Sequence, residues 1–222
     1  MEKLIKALWW KILAVICLMY VIIMGFLSDV PNLPILEESI RNLYFHVPMW
    51  FSMIIIFSFS VVFSIKYLSK PNTLNDIYAV ETANTGIFMG ILGITTGMQW
   101  ALVTWGSWWV NDPKLNGAAI SLLIYLAYFV LRNSIEDVEK RARISAVYNI
   151  FAFAALIPLL FILPRLTDSL HPGNGGNPGF NKYDLDNNMR IVFYPAVIGW
   201  ALLGLWLASL RVRTRKLKIE KQ

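Results

Sequence analysis

Residues 83–112 read ANTGIFMGILGITTGMQWALVTWGSWWVND, an uncharged run that ends in Trp105, Trp108 and Trp109 and then in Asp112. The apolar part, Ala83–Val103, is long enough to cross a bilayer, which takes about 20 residues in a helix. Pro113 and Lys114 follow, and then a second apolar run, so the tryptophans lie where a membrane chain surfaces. Indole rings settle at headgroup depth because they are amphipathic, so an aromatic belt is one reading of Trp100, Trp105, Trp108 and Trp109. A cluster this dense also offers several flat, polarisable faces, which suits a large planar ligand.

Working outward, the same pattern recurs along the chain. Of 222 residues, 57% are hydrophobic and 15% charged, against about 25% charged in ordinary globular domains. Six blocks are expected to span the membrane: Leu8–Leu27, Pro48–Leu68, Ala83–Val103, Gly117–Leu131, Ile144–Leu163 and Ile191–Leu210. The fourth is short, which places its true start within the preceding loop. No repeat or linker divides residues 1–222, so the expectation is one all-α polytopic domain. The first block is too long for a signal peptide and lacks a small-residue cleavage site, so it reads as a retained helix. Cys17 lies inside it and has no CxxC partner, which argues against thiol–disulfide chemistry.

Charge sets the orientation. With the amino terminus inside, 15 of the 20 basic residues fall on the inner side, leaving Arg41, Lys114, Arg165, Lys182 and Arg190 outside. The positive-inside rule then places both termini in the cytoplasm. The basic tail from Arg211 to Lys218 beside the last helix suits anionic lipid better than nucleic acid. Asp76 and Glu81 read as solvated charges at the start of an inner helix.

Three outer segments remain, at 28–47, 104–116 and 164–190. In the first, Leu36, Ile40, Leu43 and Val47 form one helical stripe behind Pro34, Glu37 and Glu38. This predicts a short amphipathic helix on the outer membrane surface. The second is the tryptophan segment. The third contains HPGNGGNPG at 171–179, whose glycine, proline and asparagine imply a flexible loop. No GxxxxGK[ST] occurs, so the chain is not expected to hydrolyse ATP.

The two histidines, His46 and His171, both fall on the outer side near a proline. Neutral imidazole is a strong iron ligand, and two can take opposite axial positions on a haem. Each is also compatible with an interfacial residue hydrogen-bonded to backbone. Two histidines sharing one membrane face with the tryptophans favour the functional reading. A haem needs apolar walls for its macrocycle and cations for its propionates, and any outer cation could serve.

The segments RNLYFHVP at 41–48, WGSWWVNDPKLN at 105–116 and SLH at 169–171 resemble the haem-handling, tryptophan-rich (WWD) membrane family of cytochrome c maturation. The family's signature reads roughly WGTWWVWDxRLT. Asn111 stands where the family has a tryptophan, Lys114 where it has an arginine, and Asn116 where it has a threonine. The resemblance covers essentially the whole chain. It implies that His46 and His171 are axial ligands of haem iron, and that Trp105, Trp108, Trp109 and Asp112 form a platform, with Lys114 and Arg41 as candidate propionate partners. It further implies a multi-pass protein of the bacterial inner membrane that transiently binds heme b. The implied partners are a periplasmic haem chaperone (CcmE), an ABC permease with its ATPase (CcmB and CcmA) and a small membrane subunit (CcmD). Such a chain delivers haem and leaves covalent attachment to a partner. Alternatives are a haem lyase acting directly on apocytochrome c, for which 222 residues leave little room, and a permease or scaffold subunit that binds no haem.

Overall fold

The computed structural model describes residues 7–171 and 185–221. Six helices among them are long and apolar enough to span a membrane. They are α1 (Trp9–Leu27), α2 (Leu43–Ser69), α3 (Thr73–Trp105), α4 (Pro113–Asn133), α5 (Val138–Ile157) and α6 (Asn187–Glu220). A π-helical turn, Pro158–Ile162, and a last α-turn, Leu163–Leu166, extend α5. No strand occurs among the described residues. The HPGNGGNPG loop lies, after His171, outside them.

Local chemistry sets the helix ends. Asn72 accepts from the Asn75 N–H at 2.8 Å and starts α3 before its apolar block. At the far end Gly106 takes the left-handed conformation, φ 76°, which a residue without Cβ adopts freely. Asp112 caps α4, with Pro113 in the first turn where a missing N–H costs nothing. Asp137 and Asp186 cap α5 and α6 through the N–H groups of Lys140 and Asn188. Pro158, which has no N–H to donate, opens the π-turn that carries Leu160 and Phe161 inward.

The expected outer surface helix takes a different form. Glu37–Asn42 is a 3-10 turn running directly into α2. Its stripe, Ile40, Leu43 and Val47, is buried against Val21 of α1 and Met189, Val192 and Phe193 of α6. The stripe therefore faces protein rather than lipid.

Within the bundle, one buried amide bridges two helices. Asn149 of α5, fully buried, donates to Ser60 Oγ and Ser64 Oγ of α2 at 2.7 and 2.8 Å. Such interhelical bonds, flanked here by Ala142, Ala146 and Ala152, let helices pack without an apolar driving force. Aromatic stacking of Phe57 on Tyr125, with centroids 3.6 Å apart, joins α2 to α4.

Asp76 and Glu81 are not solvated. Arg132 grips Asp76 with two bonds, at 2.8 and 2.6 Å, and ties the start of α3 to the end of α4. Glu81 is 5% exposed and accepts from Arg211 Nε of α6 at 2.9 Å. Both carboxylates lie near the start of α3 as expected, but their partners sit more than fifty residues away in sequence, beyond what a helix-start pattern encodes. This end of the bundle gathers Arg132 and Arg211, and it is the end that the positive-inside rule predicts to be cytoplasmic.

Both side chains of the Asp76–Arg132 pair are mostly buried, at 17% and 8% exposure. Asp76→Ala leaves an uncompensated buried guanidinium and is expected to cost about 3–5 kcal/mol. The double variant Asp76→Leu, Arg132→Met should recover most of that loss. Thermal unfolding in detergent compares the two, and equal destabilisation would show that the pair matters as an attraction rather than as mutual neutralisation.

Candidate functional site

At the opposite end of the bundle a cavity of about 330 Å³ lies among α2, α3, α4 and the turns after α5. That is within the range of small-molecule sites. Its wall is apolar and aromatic, with Trp50 and Phe51 from α2, Trp100 and Trp105 from α3, and Phe161 from the π-turn. His46 and His171 both line it, although 125 positions separate them in the sequence. Lys114 is the one Lys or Arg on this wall, among the described residues.

His46 sits in the first turn of α2. Its Nδ1 is 2.9 Å from Gly93 O and 3.2 Å from Thr96 Oγ1. A main-chain carbonyl only accepts, so Nδ1 carries the proton and Nε2 keeps its lone pair. The ring lies on Gly97, where a Cβ would come within 2.6 Å of His46 Cε1. Gly93, one turn earlier, admits Trp50 in the same way. Trp50 and Trp100 meet the imidazole edge-on, with centroids at 6.3 and 5.9 Å. Two glycines one turn apart on α3 thus make room for the ring and its neighbour.

His171 is held by Asp112. The carboxylate is 1% exposed, and its Oδ1 accepts from His171 Nδ1 at 2.9 Å and from the N–H groups of Lys114 and Leu115. Oδ2 accepts from Ser169 Oγ and Leu170 N, both at 2.8 Å. Burial by itself would raise the Asp112 pKa, but the bonds from His171, Leu170 and Ser169 outweigh it and hold the carboxyl well below its usual range. Burial, with the nearby Lys114 charge, lowers the His171 pKa against the opposing pull of Asp112, which favours the neutral imidazole at pH 7. Its Nδ1–H then points at the carboxylate and Nε2 is left as a donor to a metal. Carboxylate–histidine pairs of this kind fix the tautomer and raise ligand basicity. Trp105 closes on the same ring edge-on at 5.2 Å.

The other sequence candidates divide. Trp105 and Lys114 line the cavity, while Trp108 and Trp109, 53% and 38% exposed, stand outside it on the turn after α3. Arg41 does not line it, and its guanidinium bonds Gly25 O, Ser28 O and Glu38, tying the end of α1 to the 3-10 turn. Arg165 bonds Phe161 O, and Arg190 bonds Leu185 O. Trp50 and Phe161 carry much of the wall and were not among the candidates. His46 and Trp50, four apart on one helix, held the signal for the first, whereas the π-turn that presents Phe161 has no sequence pattern of its own.

An Asp112→Asn substitution tests the hub. Asparagine still caps α4 well, but its amide nitrogen would face the Leu170 N–H. Stability should fall by about 1–3 kcal/mol as that buried donor loses its partner. Trypsin should then cut at Arg165 faster than in the parent chain. An unchanged cleavage rate would mean that Asp112 does not hold this loop.

Comparison with known proteins bears on the cargo. Residues 2–222 match the family described as heme exporter protein C. Among its relatives, heme exporter protein C of Rhodobacter capsulatus is 28% identical over 183 residues, covering 80% of this chain and 72% of the relative. That of Paracoccus denitrificans is 26% identical over 178 residues, covering 79% and 73%. The Escherichia coli K12 protein is 26% identical over 187 residues, covering 83% and 74%. With a match over nearly its entire length and six helices able to span a membrane, the chain belongs to the heme exporter protein C family of multi-pass membrane proteins, which serves haem export in cytochrome c maturation.

Proposed function

We propose that the chain holds haem as cargo at the outer face of the bacterial inner membrane and passes it to a periplasmic haem chaperone of the CcmE type. The observation that carries this reading is the pairing of His46 and His171 in one apolar cavity, each with Nδ1 engaged and Nε2 left over. Two neutral imidazoles from separate elements suit the two axial positions of a b-type haem. Trp50, Trp100 and Trp105 offer the macrocycle apolar faces, and Lys114 offers a propionate a cation. Lysine does so as a point charge, without the bidentate fork of an arginine.

Binding is meant to be reversible. Only neutral imidazole coordinates iron, so acid that protonates His171 releases the cargo. The exposed rings of Trp108 and Trp109, within four residues of Trp105, are placed to meet an arriving chaperone. The chain brings no nucleotide motif, so energy for releasing the loaded chaperone is assigned to an ATPase, CcmA, working with a permease, CcmB, and a small subunit, CcmD. Covalent attachment is assigned to the chaperone.

The visible spectrum of the detergent-purified protein with hemin, oxidised and dithionite-reduced, tests the reading. Low-spin b-type bands are expected in the parent chain, and His46→Ala and His171→Ala should each weaken them or convert the haem to high spin. Bands unchanged in both variants, or no binding of added hemin, would overturn the ligand assignment.

A pH titration adds a second check. Because burial holds the His171 pKa below 6.5, hemin binding should persist through pH 6.5 and be lost only on further acidification. Loss already above that pH would argue against a buried neutral imidazole.

A further inference from the structure

Above His46, toward the outer surface, three side chains of one helical stripe meet three positions of α3. Ser39 Oγ accepts from Trp100 Nε1 at 3.2 Å. Asn42 Nδ2 donates to Thr96 O at 3.0 Å. His46 Nδ1 bonds Gly93 O at 2.9 Å and meets Thr96 Oγ1 at 3.2 Å. Positions 39, 42 and 46 ascend α2 and its 3-10 extension while 100, 96 and 93 descend α3. The spacing is that of two antiparallel helices joined rung by rung.

Thr96 is the centre of this ladder. Its carbonyl is held by Asn42, and its hydroxyl sits at His46 while also donating to Leu92 O at 2.7 Å. Asn42 and Thr96 are not on the cavity wall, so neither touches what the cavity holds. They act on it only through the imidazole. Without the Asn42 rung, α2 is freer to slide along α3, and the ring that must fit over Gly97 has little room for error.

We propose that Asn42 and Thr96 are positioning residues that fix the register of α2 on α3 and thereby aim His46 Nε2 into the cavity. The role rests on the haem reading above. His171 is aimed by a carboxylate and His46 by this helix-to-helix ladder, so the two ligands are set by separate devices. Partners one shell beyond a metal ligand commonly influence metal affinity by about 10–100-fold.

Hemin titration of the full-length purified protein separates the possibilities, comparing the parent with Asn42→Ala, Thr96→Val and Thr96→Ser. Asn42→Ala and Thr96→Val should each lose about 10-fold in hemin affinity and acquire a high-spin component. Thr96→Ser, which keeps the hydroxyl, should stay near the parent. Free imidazole should restore the low-spin bands in Thr96→Val, because only the ligand's aim is lost there. Parent-like affinity and spin state in both disruptive variants would overturn the proposal. So would an equal loss in Thr96→Ser, or high-spin haem that imidazole does not convert, since either outcome indicates a general packing role. If the parent itself shows no His46-dependent low-spin haem, the cargo reading fails, and the positioning role fails with it. Intact parent spectra with unaffected variants would overturn the positioning role alone.

Discussion

The Asp112 carboxylate is the constraint on which the outer face depends. It accepts two main-chain N–H groups at the start of α4, and the Leu170 N–H, Ser169 hydroxyl and His171 ring at the end of the fifth span. A carboxylate with 1% exposure would be costly unless so fully satisfied. One group thereby caps a helix, anchors a loop and sets an imidazole tautomer. The cap and the ring share Oδ1 while the loop is held by Oδ2, so an amide at 112 can keep the cap and still release the loop.

The bundle treats polar groups differently at its two ends. On the inner side, buried carboxylates are matched by arginines, Asp76 by Arg132 and Glu81 by Arg211, so charge is neutralised within the protein. On the outer side, the cavity wall carries two imidazoles whose nitrogens are only half used by the protein. The inner pairs join α3 to α4 and to α6, closing the helices on one another. Against that closed end, the outer cavity needs glycine at 93 and 97 to stay open for rings. Ion pairing and the histidine-lined cavity thus occupy different ends of the same helices.

Much of this was legible in the sequence, for identifiable reasons. Span length and the absence of charge follow directly from the cost of burying polar groups in lipid, so all six helices were foreseen. The start of α4 inside the preceding loop was expected as well, but the cap at Asn72 starts α3 well before its apolar run, which was not. His46 and His171 stood out as the only histidines on a face rich in tryptophan. Asp112 was foreseen as part of a platform, but its hold on His171 is a contact across 59 positions that no local pattern encodes. The stripe at 36–47 has the right period for either lipid or protein burial, and periodicity does not distinguish the two. The charges at 76 and 81 were misread for the same reason, since their partners lie on other helices.

Beside Ser107 in place of a threonine, the tryptophan segment differs from the signature it resembles at 111, 114 and 116, and the two asparagines among these form one structural unit. Asn116 Nδ2 donates to Asn111 Oδ1 at 2.7 Å across the start of α4, so each asparagine supplies the other's partner. A tryptophan at 111 would offer Asn116 no acceptor. Asn111 is exposed, next to exposed Trp108 and Trp109 and away from the cavity wall. The aromatic faces that line the cavity come from Trp50, Trp100 and Trp105, and the exchange at 111 leaves them in place. What it alters is the outer rim, where a flat ring gives way to a small polar bridge. Lys114, by contrast, lies on the wall itself. Of these positions it alone lines the cavity, whereas the asparagine pair belongs to the exposed rim.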